Sequence, residues 1–208
     1  MSTPREIQYW FDPICPWCWV TARWVVDEVR PHRDIHVTWQ PISLFFKNNP
    51  DPSSDYYGPS RFTHGLLRVV EAVRDALGDE PIERLYWEYG RRIHHDQDRN
   101  FDPADALEAV GLDRSFAAAA DDEAWDTPIR TKMDVGLELA GNDIGTPIIS
   151  FGNRSGERKA YFGPVITRVP PTEQSVAMWD ALVAMMDVEG FWELKRTRTE
   201  RPDPGERP

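Results

Sequence analysis

Apolar residues fall into two rhythms along the chain, and the switches between them outline a fold. Ile7, Tyr9 and Phe11 alternate with polar or amphipathic neighbours, which predicts a strand over residues 6–11. Asp12-Pro13 stops it. Beyond Cys15 the apolar positions are Cys18, Trp19, Ala22, Val25, Val26 and Val29, one face of a helix that Pro31 ends. Alternation returns at Ile35, Val37 and Trp39 and stops at Pro41. Strand, helix and strand in about 35 residues make a βαβ unit with a parallel sheet.

The middle has a different texture. Residues 47–60, KNNPDPSSDYYGPS, read as a loop. Helical stripes follow: Leu66, Val69, Val70, Val73 and Leu77, then Ile82, Leu85, Tyr86, Tyr89 and Ile93 behind Pro81 at a first-turn position. Short helices are expected over 103–110 and 113–120. A longer one carries Trp125, Ile129, Met133, Leu137 and Ala140 and closes at Gly141-Asn142. Strands return at 147–151 (PIISF) and 159–162, joined by a Gly/Asn-rich turn as a hairpin. Val176, Trp179, Leu182, Val183 and Met186 mark a last helix, and the polar, Pro-rich tail from Lys195 is expected to be loosely held.

Composition and charge narrow the function. The chain has 208 residues, enough to bury a core without staples. Its formal net charge of −11 argues against a phosphate-tracking nucleic-acid binder and against anionic membrane. No apolar run approaches the ~20 residues of a transmembrane helix. The start, MSTPREIQYW, has no apolar signal core, so a cytoplasmic location is expected. Most of the nine Trp are expected in the core, with others free to line a pocket for a flat substrate.

Both cysteines lie in DPICPWCW, residues 12–19. A close pair in a cytosolic chain points to catalysis or metal rather than a structural disulfide. Structural zinc wants four ligands, and beyond the pair only scattered histidines (His32, His36, His64, His94-His95) remain. Two inert core cysteines are the other bland reading. The position after a strand, at the start of a helix, favours redox chemistry. Unpaired first-turn N–H groups and the helix dipole both favour a thiolate at Cys15. That residue is expected to be exposed and to attack. Cys18, one turn in on the apolar face, is expected to be buried and to resolve the mixed disulfide. Pro16 suits the first turn, and Trp17 offers a flat surface beside the nucleophile. Gly145-Thr146-Pro147 precedes the hairpin; the element order resembles the thioredoxin plan, and that resemblance implies a cis proline here, facing the pair. His94, at the end of the second middle helix, could hydrogen-bond or pair with the Cys15 thiolate. His95, on another face, is expected to be exposed.

The order β, α, β, helical block, β, β, α resembles the α/β thioredoxin fold with an inserted all-helical domain, as in DsbA-like proteins. The expected parts are 1–43, the helical insertion 44–141, and 142–208. The resemblance narrows to the actinobacterial mycothiol-dependent nitroreductases on WFDPICPWCWVTARW (10–24), ISL (42–44), RIH (92–94), IGTPII (144–149), YFGPVITRVP (161–170), MWDA (178–181) and FWELKRTRTE (191–200). It implies a thiol-disulfide oxidoreductase reduced by mycothiol, with no bound flavin or nicotinamide; the shortage of ligands leaves no metal expected. It implies Cys15 as nucleophile and Cys18 as resolving cysteine. Pro16, Trp17, Asn48, Tyr56 (or its neighbour Tyr57), His94, Thr146 and Pro147 would line the pocket. It also implies that residues 191–200 are docked. Two other functions remain open. One is an isomerase of the 2-hydroxychromene-2-carboxylate type, which the resolving cysteine counts against. The other is a non-catalytic redox-sensing module.

Overall fold

The computed structural model describes residues 5–208. Its centre is a four-stranded sheet in the order β2-β1-β3-β4, with β1 Arg5–Phe11, β2 Ile35–Pro41, β3 Ile148–Gly152 and β4 Arg158–Phe162. β1 and β2 run parallel, with Tyr9 opposite Trp39. β3 is antiparallel to β1 and to β4, with Ile149 between Tyr9 and Tyr161. The parallel pair needs a crossover, supplied by α1 (Pro16–Arg23) and its π-helical continuation Trp24–Val29. The fold is the thioredoxin plan, β-α-β followed by β-β-α, closed by α7 (Thr172–Met186).

β1 is buried on both faces, which is why the polar side of its alternation is thin. Ile7, Tyr9 and Phe11 enter the main core with Trp19, Trp24, Trp39 and Trp179. Trp10 turns the other way, into a second cluster with Ile42, Met133, Leu137 and Ile148. Met133 and Leu137 belong to α6 (Asp126–Ala140), so a helix from the middle of the chain covers that face of the sheet. Gly136 makes the approach possible, because a Cβ there would meet the Trp10 indole at 2.8 Å. Most of the tryptophans do pack the core. Trp192 is the contrary case, 85% exposed.

Between β2 and β3 the chain is helical: α2 Leu44–Asn48, α3 Tyr57–Leu77, α4 Ile82–Gly90 with a π-helical turn Arg91–His95, α5 Pro103–Ala109, and α6. The expected loop 47–60 is shorter than its composition suggests. α2 ends inside it and α3 starts at Tyr57, well before the apolar stripe begins. Ser43 caps α2, its Oγ accepting the Phe46 N–H at 3.2 Å. The segment expected as a fourth helix over 113–120 is instead a 3₁₀ helix, Arg114–Asp121, begun by an Asp113 cap.

The tail is not loosely held. The Phe191 ring packs edge-on to Tyr161 at 5.7 Å. The Asp203 N–H donates to the Thr167 carbonyl at 2.7 Å, and Arg23 Nη1 donates to the Pro204 carbonyl at 2.8 Å. Arg207 makes a two-pronged pair with Asp96 at 2.8 and 2.9 Å. Composition alone could not reveal this, since each anchor lies far away in sequence.

Candidate active site

The chain leaves β1 at Phe11 and turns at once. The Cys15 N–H donates to the Asp12 carbonyl at 3.0 Å, and the Ile14 N–H donates to Asp12 Oδ1 at 3.0 Å. This Asx-type turn delivers Cys15 to the N-cap of α1 in an extended conformation. There the Cys15 sulfur accepts the backbone N–H of Cys18 at 3.4 Å, the place a Ser or Asp oxygen fills in an ordinary cap. The sequence expectation that the helix start holds Cys15 is therefore met in detail. The expectation of an exposed Cys15 is not, since only 6% of the residue is accessible. The Thr146 carbonyl lies 3.6 Å from its sulfur and covers part of it.

Both cysteines are free thiols, and Cys18 is completely buried. Its sulfur lies 2.7 Å from Thr146 Oγ1, which also reaches the Trp10 carbonyl at 3.1 Å. Either the Thr146 hydroxyl or the Cys18 S–H can donate across the contact with sulfur, and a donating hydroxyl holds the sulfur's pKa down. Burial, and after it the neighbouring Cys15, push the Cys18 thiol well above its ordinary range. Tyr9 completes the floor, its hydroxyl donating to the Cys18 carbonyl at 2.8 Å.

The Thr146–Pro147 peptide is cis, as expected, and the Pro147 carbonyl accepts the Gly163 N–H at 2.8 Å. A second cis peptide, Gly163–Pro164, lies on the other side of that bond. The two proline turns thus brace each other beside the cysteines, and Thr21 Oγ1 ties the second to α1 by donating to the Pro164 carbonyl at 2.8 Å.

The remaining predicted residues come from the helical segment, with two exceptions. Pro16 and Trp17 are half-buried in the first turn of α1. Asn48 is the exposed last residue of α2. Tyr56, not Tyr57, points toward the cysteines. Burial raises its phenol first, and the nearby Asp12 and Cys15 raise it further, while the Asn48 side chain partly offsets them. Tyr57 packs on Phe45 instead, 5.5 Å between centroids.

His94 is buried near the pair but does not make the expected bond. Its Nε2 meets the Pro13 carbonyl at 2.9 Å, and among the described residues it has no hydrogen bond to Cys15. Burial lowers its pKa to about 4, so at neutral pH it carries no charge to pair with a thiolate. His95 is not free either. It is half-buried and accepts the Trp19 indole N–H at 2.9 Å, while His94 stacks on the same indole. The two histidines grip Trp19 by edge and face.

Asp12 is the functional-site residue that sequence reading passed over as a strand terminator. It is fully buried, and its Oδ2 accepts the Leu44 N–H at 2.7 Å, tying the cysteine turn to the start of α2. Burial raises its carboxyl to about 6, against the pull of those two backbone bonds. Asp directly after a strand and before Pro is an Asx-turn signal that could have flagged it. Leu44, its distant partner, could not be inferred.

A sulfur at a helix start capped by backbone N–H, a fully buried second thiol one turn on, and a cis proline beside both form a thiol–disulfide exchange site. Solved structures agree on the frame. A probable DsbA oxidoreductase from Streptomyces coelicolor superposes with a TM-score of 0.57 at 16% identity, covering 97% of each chain. Pseudomonas aeruginosa DsbA does so at 0.50 and 15% identity, over 89% of this chain and 85% of its own. At such identities the likeness establishes the DsbA-like thioredoxin fold. The sequence itself carries the chemistry further: residues 14–196, from the turn before Cys15 to the docked tail, match the Rv2466c-like family, described as mycothiol-dependent nitroreductase Rv2466c, and the protein belongs to that family of thiol oxidoreductases.

Proposed function

We propose that the protein is a cytosolic reductase that takes its electrons from mycothiol and passes them, through Cys15 and Cys18, to disulfides or small electrophiles such as nitroaromatics. The observation that supports it most is the asymmetry of the two thiols: Cys15 accepts a backbone N–H, whereas Cys18 is buried and hydrogen-bonded to Thr146.

With a disulfide substrate, the Cys15 thiolate attacks one sulfur, the substrate S–S bond breaks and one thiolate leaves. Cys18 gives up its proton beside Thr146 and attacks the Cys15 sulfur. The second substrate thiolate leaves, and the Cys15–Cys18 disulfide closes. The same two electrons, with two protons, would take a nitro group to a nitroso group and water. Cys15 is restored in two exchanges. A first mycothiol thiolate displaces Cys18 and forms a mixed disulfide on Cys15. A second attacks that adduct, releasing Cys15 and oxidised mycothiol. Pro16, Trp17, Asn48, Tyr56, His94, Thr146 and Pro147 would line the substrate space, the helical insertion 44–141 supplying Asn48, Tyr56 and His94.

Incubation of the reduced single-cysteine variants with mycothiol disulfide, the reverse of the second exchange, tests this: the Cys15 thiolate takes one mycothiol and the other leaves as thiolate. Cys18→Ser should accumulate a mycothiol adduct on Cys15 by mass spectrometry, and Cys15→Ser should carry none. Absence of adduct from both variants would overturn mycothiol as the reductant.

A further inference from the structure

We propose that Arg198, in the docked tail, is a specificity-determining residue of the cysteine site, favouring substrates with a carboxylate or similar anion close to the atom under attack. The Arg198 guanidinium lies over the Trp17 ring, 5.2 Å from its centroid, and Trp17 stands between the two cysteines. A guanidinium held over an indole face by cation–π attraction makes no hydrogen bond to the ring edge and keeps its forked N–H donors for a carboxylate, which can meet two of them. Arg198 is exposed, and among the described residues it has no ion pair. Glu200, the acid two positions along the tail, is engaged elsewhere, pairing with Arg168.

Its position is imposed from both sides. Phe191 is fixed on Tyr161, and Asp203 on the Thr167 backbone, so the intervening stretch is strapped along the thioredoxin frame with Arg198 near its middle. Four cations (Lys195, Arg196, Arg198, Arg201) stand against one acid, Glu200, from 195 to 201, in a protein whose net charge is −11. The overall field repels an anionic substrate, and a local cation next to the nucleophile reverses that effect at the last step of approach.

The inference rests on the thiol–disulfide chemistry of Cys15 and Cys18, not on mycothiol, so its test omits mycothiol. Fully reduced protein is mixed in stopped flow with either of two aromatic disulfides, dithiobis(nitrobenzoate), which carries a carboxylate on each ring, or neutral dithiodipyridine. In each case Cys15 forms the mixed disulfide and releases one aryl thiolate. Cys18 then releases the second, the dithiol losing two electrons and two protons. Arg198→Ala should slow the anionic probe about fivefold, the size of a partly exposed charge contact, and the neutral one less than about twofold. Arg198→Lys should keep most of the preference, and high salt should shrink it in the wild type. Equal slowing with both probes would mean that Arg198 only props Trp17, and unchanged rates with both would remove it from the site. Either result overturns the proposal. Wild-type protein inert toward both probes would overturn the dithiol reading as well, a failure distinct from loss of preference.

Discussion

Beneath the cysteines, on the sheet side, the groups that touch sulfur are backbone or a single hydroxyl: the Cys18 N–H and the Thr146 carbonyl at Cys15, and Thr146 Oγ1 and the Trp10 carbonyl at Cys18. The helical segment that faces them is fastened by side-chain polar groups. Ser43 Oγ meets His64 Nδ1 at 3.0 Å, His64 Nε2 meets Asp126 at 3.0 Å, and Arg68 donates to the same carboxylate at 2.6 and 3.0 Å. Asp12 and the Trp19 grip of His94 and His95 close the seam between the two regions. Backbone contacts come with the fold and survive most substitutions. Polar clamps depend on single side chains, each of which can be cut. The floor should therefore be chemically sensitive and mechanically robust, and the seam the reverse.

The strongest blow to the seam is Gly90→Ala. A Cβ on Gly90 would sit 2.2 Å from the buried Trp19 ring, so either α4 or the indole must move. A loss of about 3 kcal/mol is expected in denaturant unfolding, as for an overfilled core. A variant as stable as the wild type would show that the seam yields more easily than the close contact implies.

Asp12→Asn probes the same seam through pH. The carboxyl is raised to about 6 when folded, above the ordinary ~3.9 of an unfolded chain. A raised value contributes stability that is full below about pH 4 and is lost as pH rises toward 6. Between those limits the folded state holds a proton that the unfolded state has released. The variant should thus gain on the wild type by about 2–3 kcal/mol on going from pH 4 to pH 7. His94, lowered to about 4 by burial, has the opposite sign: its contribution is present above its ordinary ~6.5 and lost as pH falls toward 4. A difference between variant and wild type that does not change with pH would contradict a buried, protonatable Asp12.

Thr146→Val acts on the floor alone. It keeps the shape and removes the hydroxyl that hydrogen-bonds the Cys18 sulfur and lowers its pKa against burial. Stability should change little, while release of the second thiol in a single turnover should slow about tenfold, the worth of one hydrogen bond. An unchanged second phase would take Thr146 out of the resolution step.

Much of the floor was legible in the sequence because its signals are local. Alternation marks β1 and β2, helical spacing marks α1, and Asp-Pro followed by Cys places Cys15 at a helix start. The seam was less so. α2 is five residues long, too short to show a period, and exists because Ser43 caps it and Asp12 holds Leu44. Tyr56 and Tyr57 are equivalent by composition, and only the packing of Phe45 on Tyr57 separates them. His94 stands out in the sequence at the end of a helical stripe, but its partner, a carbonyl 81 positions earlier, left no trace in spacing.

The sequence by itself determined the thioredoxin plan, the redox pair and the division of the two thiols between helix start and helix interior, because periodicity and capping act within a few residues. Tertiary structure alone decided the burial of Cys15 under Thr146, the neutral grip of His94 and His95 on Trp19, and the tail that lays Arg198 on Trp17. Desolvation and long-range contacts depend on what the chain brings together across its whole length, and no local pattern encodes that.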